Sequence, residues 1–382
     1  MKTRSFRDLS YWEKKSFQTY DIIIVGGGIV GLSTAVSIKE KDKGLSVAVL
    51  ERGVFPAGAS TRNAGFACFG SPSELLSDID VMGENVALDL VIRRWNGLKK
   101  LRQRLGDSRI SFQNKGGFEL LTNERLQVLE KIDYLNEILY PIFDQRVFEE
   151  NRTAINQFQF DDQFFCSTIF NPLEGQLDTG EMMKGLQGYA QLLGVNIFSG
   201  TEVIDFQENQ NRITLNVKSN TEETELEASQ MAICTNAFSK HFFKALDLKL
   251  GRGLVLVTEP INNLQLSGTF HFDEGFNYFR DVDDRILFGG GRNLAFEEEE
   301  VDQFSINEKI INHLKEILFG RILRKEVEID MSWSGIMAFG KDKQPIVRRE
   351  SDKIVIGVKL GGMGVAMGTL VGEELAALLI GE

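Results

Sequence analysis

Three glycines with the spacing of a dinucleotide-binding turn lie near the start of the chain, at positions 26, 28 and 31. They follow a run of β-branched residues at 21–25, which predicts a buried parallel strand, and they precede apolar residues at helical spacing. Gly26 would permit the tight turn, Gly28 would let a pyrophosphate approach the backbone, and Gly31 would let the helix pack closely on the strand. The N-terminus of that helix would offer unpaired N–H groups and a positive dipole end to the phosphates.

A carboxylate stands at the end of the second predicted strand, 47–50. Glu51 follows Gly31 by twenty residues, a spacing at which an acidic side chain can accept hydrogen bonds from both ribose hydroxyls. A carboxylate there disfavours the 2′-phosphate of NADP, so NAD and FAD remain. The alternative is a glycine-rich turn that binds no ligand. The spacing of the strand, the helix, the second strand and the acidic residue argues against that alternative.

The segment 58–66, Gly-Ala-Ser-Thr-Arg-Asn-Ala-Gly-Phe, favours FAD over NAD. A domain for NAD would normally continue with further strand and helix units, whereas here the second strand leads into a loop of small and polar residues. Small residues let backbone N–H groups approach a ligand closely. A flexible surface loop is the alternative interpretation.

A second glycine turn lies near the end of the chain. Gly361, Gly362 and Gly364 follow a predicted strand at 354–357 and open a predicted helix. The N–H groups of that helix could face the pyrimidine edge of a flavin, where reduction places negative charge that a helix dipole stabilises. The alternative is an ordinary C-terminal helix that packs on the sheet.

In this order the segments resemble the D-amino-acid oxidase superfamily of FAD-dependent oxidoreductases, which includes glycine, sarcosine and γ-glutamylputrescine oxidases. The resemblance covers nearly the whole chain. The leader residues 9–12 and the spelling Ser-Thr-Arg-Asn-Ala-Gly-Phe are most similar to the γ-glutamylputrescine-oxidase-like branch. Beyond the two glycine turns, the similarity is carried by Leu50-Glu51-Arg52, the 58–66 segment, Leu177-Asp178-Thr179-Gly180, Thr201-Glu202-Val203 and Ala232-Ile233-Cys234-Thr235-Asn236-Ala237.

The resemblance implies FAD, bound without a covalent link, in a groove that joins the two turns. The family's loop along the pyrophosphate, its strand whose valine backbone contacts adenine, and its closing contact with the flavin ring each match a segment here. The implied cofactor-binding residues are Gly26, Gly28, Gly31, Glu51, Arg52, Ser60, Thr61, Asn63, Ala64, Val203, Thr235, Gly361, Gly362, Met363 and Gly364.

Tyr278 and Arg280 are the candidates for catalytic and substrate-binding side chains. They resemble the family's Tyr-x-Arg element, and on a strand they would share one face. A planar guanidinium there could hold a substrate carboxylate in a bidentate pair. The alternative is a surface arginine that pairs with Asp281 or Asp283. Weaker candidates for the substrate pocket are Asn63, His271, Trp333 and Met363.

Several family features are absent. The residues at 335–338 are Gly-Ile-Met-Ala, so the carboxylate-binding arginine of D-amino-acid and glycine oxidases is missing. No cysteine follows Cys234, which excludes the covalent flavin link of sarcosine oxidase. Ala366 stands near the place of a sarcosine-oxidase lysine, and the oxygen-activating lysine of that enzyme aligns roughly with 286–287. These departures leave an α-amino-acid substrate and the use of oxygen open.

The sequence therefore predicts an enzyme that oxidises a C–N bond of a small amine or amino acid by hydride transfer to flavin N5, giving an imine that hydrolyses. The alternative is a flavin dehydrogenase, for a 2-hydroxy acid or similar substrate, that passes electrons to a quinone or carrier instead of oxygen. A nicotinamide-dependent enzyme and a non-catalytic flavin-binding module are more distant alternatives.

Composition sets the remaining bounds. The 382 residues are 42% hydrophobic and carry a formal net charge of −12, which indicates a globular protein and argues against nucleic acid or an anionic membrane as a partner. Three cysteines without a C-x-x-C motif are typical of buried thiols in a reducing compartment, and three scattered histidines show no metal-ligand spacing. The N-terminal segment lacks the apolar core of a signal peptide, and no transmembrane segment is expected. A cytoplasmic location is predicted.

The predicted fold class is α/β, a Rossmann-like FAD-binding domain of glutathione-reductase type with an interleaved α+β substrate domain on a mixed sheet. The FAD-binding domain is expected at 1–85, 172–240 and 330–382, and the substrate domain at 86–171 and 241–329. Helices are expected at 84–105, 124–139 and 179–193, and another after a capping box at 305–308. Strands are expected at 116–121, 253–258, 276–280, 285–289 and 325–331 and near 195, 203, 213 and 231. The acidic run 297–300 is expected to be solvated.

Overall fold

The computed structural model describes residues 9–219 and 222–381. In chain order its strands are β1 (Thr19–Val25), β2 (Val47–Glu51), β3 (Phe66–Ala67), β4 (Gly117–Leu121), β5 (Glu149–Glu150), β6 (Ser167–Asn171), β7 (Gly175–Gln176), β8 (Asn196–Ser199), β9 (Glu202–Glu208), β10 (Ile213–Lys218), β11 (Glu223–Ile233), β12 (Lys249–Thr258), β13 (Thr269–Phe272), β14 (Asn277–Val282), β15 (Arg285–Gly290), β16 (Ile329–Phe339), β17 (Ile346–Arg349) and β18 (Ile354–Val358).

The helices connect and cover these strands. They are α1 (Tyr11–Phe17), α2 (Ile29–Lys41), α3 (Ala59–Arg62), α4 (Pro72–Met82), α5 (Glu84–Leu105), α6 (Ile132–Phe143), α7 (Thr153–Gln157), α8 (Thr179–Leu192), α9 (Glu308–Ile317) and α10 (Gly364–Ile380). Short 3₁₀ segments span Asn123–Lys131, Asn236–His241 and Arg292–Leu294, and a π-helical turn spans Leu318–Ile322.

The first eight-stranded sheet has the order β17-β18-β11-β1-β2-β8, with β10 and β9 added beside β11. Strands β18, β11, β1, β2 and β8 run parallel. The apolar run that ends at Val25 is buried on both faces, as a central parallel strand requires. On one face α10 lies against α2, and a Cβ at Gly372 would lie 2.6 Å from that of Ser33, so glycine allows this close approach.

The second eight-stranded sheet has the order β16-β12-β15-β14-β13-β4-β6-β5 and is mixed. One face packs on α9 and a cluster of phenylalanines, in which the rings of Phe270 and Phe279 stack with centroids 5.0 Å apart. The opposite face, which we call the site face, carries Tyr278, Arg280 and the residues at 255, 257, 287 and 333 toward the 58–66 segment. The fold is therefore a mixed α/β architecture on two large sheets.

Several predicted elements are shifted. The helix expected at 124–139 is a 3₁₀ segment followed by α6, and the strand expected at 325–331 begins at Ile329 and continues to Phe339. That strand, β16, crosses the expected boundary at residue 330 and belongs to the second sheet. The domain ranges remain a prediction. The helices at 84–105 and 179–193 are confirmed within one residue.

The capping box at 305–308 is wrong. Helix α9 begins at Glu308, and the side chain of Asn307 caps it by accepting from the amides of Lys309 and Ile310. The hydroxyl of Ser305 accepts instead from the guanidinium of Arg252.

The solvated acidic run is also wrong at Glu299. This residue is fully buried, and Arg252 forms two hydrogen bonds of 2.6 and 2.8 Å with its carboxylate. The expectation of three buried cysteines holds for Cys234 alone, since Cys68 and Cys166 are partly exposed.

Candidate cofactor and substrate site

The first glycine turn has the geometry that a bound pyrophosphate needs. Gly26 has φ 109°, and a Cβ there would lie 2.7 Å from the carbonyl oxygen of Cys234. A Cβ at Gly31 would lie 1.9 Å from the carbonyl oxygen of Gly26, so only glycine lets α2 pack this closely on the turn. Gly28 stands at the N-cap of α2 and offers no side-chain cap. The first amide of this helix, that of Ile29, donates to the hydroxyl of Ser60 at 3.0 Å, so an anion at the positive end of the helix would lie beside Ser60.

Glu51 ends β2 beside this turn. Its carboxylate accepts hydrogen bonds from the amide of Gly27 at 3.0 Å and from the amide of Gly53 at 2.9 Å. A Cβ at Gly27 would lie 2.9 Å from that of Glu51, so this middle glycine is required as well. The two amides fix the carboxylate at the edge of a cavity.

The cavity has a volume of about 540 Å³, within the range of small-molecule sites, and it joins the two glycine turns. Gly26 and Gly28 line one part of the wall, and Gly361 and Gly362 line another. The predicted cofactor-binding residues in the lining are Gly26, Gly28, Glu51, Arg52, Ser60, Asn63, Val203, Thr235, Gly361, Gly362 and Gly364.

Four predicted cofactor residues lie outside this lining. Gly31 packs under the turn, and the hydroxyl of Thr61 donates to the carbonyl oxygen of Pro56 at 2.6 Å. Ala64 is buried in a cluster on the site face. Met363 is the N-cap of α10, with its sulfur 4.0 Å from that of Cys68.

The motifs missed some of the cavity wall. The guanidinium of Arg52 stacks on the ring of Phe238, with its Cζ 3.9 Å from the ring centroid. Asn236 has φ 46°, and its side-chain oxygen accepts from the amide of Lys359 at 3.1 Å. Asn236 falls inside the quoted Ala-Ile-Cys-Thr-Asn-Ala segment and could have been named from it. Met337 lies in the segment 335–338, whose sequence indicated only the missing arginine, and Phe238 carried no sequence signal.

Tyr278 lies flat on the site face. A Cβ at its strand partner Gly289 would lie 2.6 Å from the tyrosine ring, so glycine makes room for it, and the ring meets Phe66 edge-on at 5.7 Å. Burial raises the pKa of Tyr278 to about 12, so its hydroxyl is neutral at ordinary pH and can donate a hydrogen bond.

Arg280 is 7% exposed, and its Nε has no hydrogen-bond partner. Within the described part of the chain the guanidinium forms no ion pair, and Asp281 is bound instead by Lys115 at 2.5 Å. The alternative of a surface arginine paired with a neighbouring aspartate is therefore wrong. Burial lowers the pKa of Arg280, although a guanidinium stays charged at neutral pH. Its Nη2 lies 3.1 Å from the position of a Cβ on Gly65.

Of the weaker candidates for the substrate pocket, Asn63 and Trp333 form hydrogen bonds within the protein, and His271 lies outside the cavity lining. The Asn63 amide donates to two carbonyl oxygens of α3 and accepts from the amide of Gly65, so it orders the 58–66 segment. The indole of Trp333 donates to the carbonyl oxygen of Arg62 at 3.1 Å. His271 is buried on β13, and its Nδ1 has no partner. Burial lowers the pKa of this imidazole.

Two buried carboxyl groups beside the site face were not predicted. Glu119 on β4 accepts from the amide and the hydroxyl of Ser73, and Glu174 accepts from the amide of Phe69. Burial raises the pKa of Glu119 to about 7 and that of Glu174 to about 8. These groups change charge near neutral pH.

The chain belongs to the family of FAD dependent oxidoreductases whose model matches residues 21–378. It is 24% identical over 376 residues to a probable oxidoreductase OrdL of Haemophilus influenzae, covering 95% of this chain and 83% of that protein. It is 23% identical over 383 residues to the gamma-glutamylputrescine oxidoreductase of Escherichia coli, covering 95% and 84%.

Glycine oxidase from Geobacillus kaustophilus has the same fold. The TM-score is 0.76 at 19% sequence identity, and the match covers 96% of this chain and 95% of that one. By its family, the chain is thus an FAD-dependent oxidoreductase. No helix in residues 9–219 and 222–381 is long and apolar enough to cross a membrane.

Proposed function

We propose that the protein binds FAD non-covalently along the cavity between the two glycine turns and oxidises a C–N bond of a small amine or amino acid. The observation that carries this proposal is the continuity of the cavity from Gly26 to Gly362. One elongated dinucleotide can occupy such a groove with its phosphates at one turn and its ring at the other. A cytoplasmic location remains part of the proposal.

The residues of the cavity fit FAD. Gly26, Gly28 and the N-terminus of α2 would hold the pyrophosphate, and the fixed carboxylate of Glu51 would accept from the ribose hydroxyls. Arg52 and Val203 line the cavity wall, and the family resemblance gives Val203 a backbone contact with adenine. At the other turn the N-terminus of α10 would face the flavin ring.

The substrate would lie on the site face. The bound flavin supplies a hydride acceptor, and the oxidised substrate leaves as an imine that water hydrolyses. Arg280 would hold a substrate carboxylate, which would also remove the cost of an unpaired buried charge. The hydroxyl of Tyr278 would donate a hydrogen bond to the substrate beside the oxidised C–N bond. Neither residue has to act as a base, because the amine can enter in its neutral form.

A second function has one observation in its favour. The place expected for the oxygen-activating lysine of sarcosine oxidase holds Ile286 and Leu287, which are buried and apolar. A dehydrogenase that oxidises an amine or a 2-hydroxy acid and passes electrons to a quinone or carrier would need no such lysine.

The test is an anaerobic screen of the purified yellow protein against amines, amino acids and 2-hydroxy acids, followed by flavin absorbance. We expect at least one amine or amino acid to bleach the flavin, and acid precipitation to release the flavin into the supernatant. Bleaching by hydroxy acids with silence across the amines would contradict the amine assignment. Admission of air then separates oxidase from dehydrogenase by the rate at which the yellow colour returns.

A further inference from the structure

Two arginines on the site face have no charge partner in the described ranges 9–219 and 222–381. Arg280 is almost wholly buried, with its Nε unsatisfied. Arg292, in the 3₁₀ segment after β15, is partly buried and lies over the rings of Phe339 and Phe296 at 4.0 and 4.8 Å. Such desolvated cations are costly unless an anion joins them.

Two of the nearby acids, Asp281 and Glu299, are bound by other residues, and Asp178, Asp283 and Glu300 act on the two guanidiniums without forming an ion pair with them. Asp281 accepts from Lys115 and from the amide of Gly268. Glu299 is the carboxylate with the largest electrostatic effect on Arg292, and it accepts two hydrogen bonds from Arg252. Within residues 9–219 and 222–381, neither guanidinium therefore has an ion pair with a carboxylate of the protein, although the chain carries a formal net charge of −12.

Strand register places the two arginines at opposite ends of the site face. Arg280 pairs with Leu287, which pairs with Val257 on β12. The Nη1 of Arg292 lies 3.2 Å from the position of a Cβ on Gly251, which shares this face with Val257. Val257 and Gly251 are six positions apart on β12, which places the backbone level of Arg280 and the guanidinium of Arg292 roughly 20 Å apart along the strand at ~3.3 Å per residue.

Tyr278 lies between these ends. Its strand partner Gly289 pairs with Val255, which stands between Val257 and Gly251 on β12. Because the arginines flank the tyrosine at this separation, they suit two distinct acidic groups rather than a single carboxylate.

We propose that the substrate is an elongated amine with a carboxylate at each end, one bound by Arg280 and the other by Arg292, with the oxidised C–N bond between them beside Tyr278. This inference rests on the proposed function and names its substrate class. Arg292 would then set specificity, since a monocarboxylate needs Arg280 alone.

Equilibrium binding to the flavin-loaded protein tests the inference without turnover. The probes are the straight-chain dicarboxylates from suberate to dodecanedioate, whose length suits this separation, and the monocarboxylates of equal length, measured by calorimetry and by perturbation of the flavin spectrum. We expect the best dicarboxylate to bind about tenfold tighter than its monocarboxylate, which corresponds to about 1.4 kcal/mol.

The variants assign the two ends. Arg292→Met should abolish the preference for dicarboxylates and leave monocarboxylate binding unchanged, whereas Arg280→Met should weaken both ligand classes. Arg292→Lys should keep part of the preference. The exposed Arg146, which pairs with Asp133, gives the matched control Arg146→Met, which should change neither affinity.

Equal affinity for both ligand classes in the wild-type protein, or an equal loss for both in Arg292→Met, would overturn the inference. Retention of flavin by each variant shows that it is folded. Failure of the proposed function is a separate result, because it appears as silence of the amine screen while the dicarboxylate preference persists.

Discussion

At the scale of residues, the site is defined by charged side chains whose partners are fixed or missing. Two backbone amides hold Glu51, whereas Arg280 is buried without an ion pair in the described part of the chain. Glu119 and Glu174 are buried where ionisation is unfavourable. Motifs in the sequence located Glu51 and Arg280, but they could not show which acids are engaged, because pairing depends on contacts between distant segments.

The buried carboxyl of Glu119 makes stability depend on pH. Its pKa is raised to about 7 in the folded protein, so the folded state binds a proton more tightly than the unfolded state does. The destabilisation by the ionised carboxylate is absent below its ordinary pKa of 4.5 and grows as pH rises to about 7, reaching at most about 3 kcal/mol. Glu119→Gln should therefore gain stability relative to the wild type between pH 5 and pH 8.

Urea denaturation at both pH values measures this difference. The exposed residue Glu124 supplies the control Glu124→Gln, whose stability relative to wild type should not change with pH in this way. A Glu119→Gln variant with the same pH profile as the wild type would show that this carboxyl is ionised in the folded protein.

At the scale of elements, the strongest periodic patterns predicted the strands and helices that frame the site. Strand β1, helix α5 and helix α8 lie where apolar spacing placed them. The errors fall at helix starts and at the strand crossing residue 330. Asn307 rather than Ser305 caps α9, because the hydroxyl of Ser305 accepts a hydrogen bond from Arg252, which is also ion-paired with the buried Glu299. Such tertiary competition is invisible in a local motif.

The cap of α9 can be tested directly. Asn307→Ala removes the acceptor for two amides at the start of α9 and the donor to the buried Glu299, and it should lower the free energy of unfolding by more than about 1 kcal/mol. Asn307→Ser keeps an oxygen acceptor but no donor to Glu299, so it should recover the part of that loss that comes from the cap. Urea unfolding of both variants provides the measurement, and equal stability of the two would argue that the cap contributes nothing.

At the scale of the whole molecule, the sequence predicted the two glycine turns of the cavity more fully than it predicted the site face. In the proposed function the two glycine turns share one cofactor, and their spacing predicted the part of the cavity wall that runs from Gly26 to Gly362. The site face is assembled from β12, β14, β15 and β16 with the loop after β15, which are far apart in sequence. Arg292 was therefore not predicted, and the proposal of one carboxylate-binding arginine at each end of the site face depends on the strand register.

A crystal structure of the yellow, flavin-containing protein tests the central claim most directly. We expect one FAD with its pyrophosphate at the N-terminus of α2, its ribose hydroxyls within hydrogen-bond distance of Glu51, and its ring between Gly362 and Tyr278. An FAD whose ring lies away from Gly362, or whose ribose does not reach Glu51, would contradict the account.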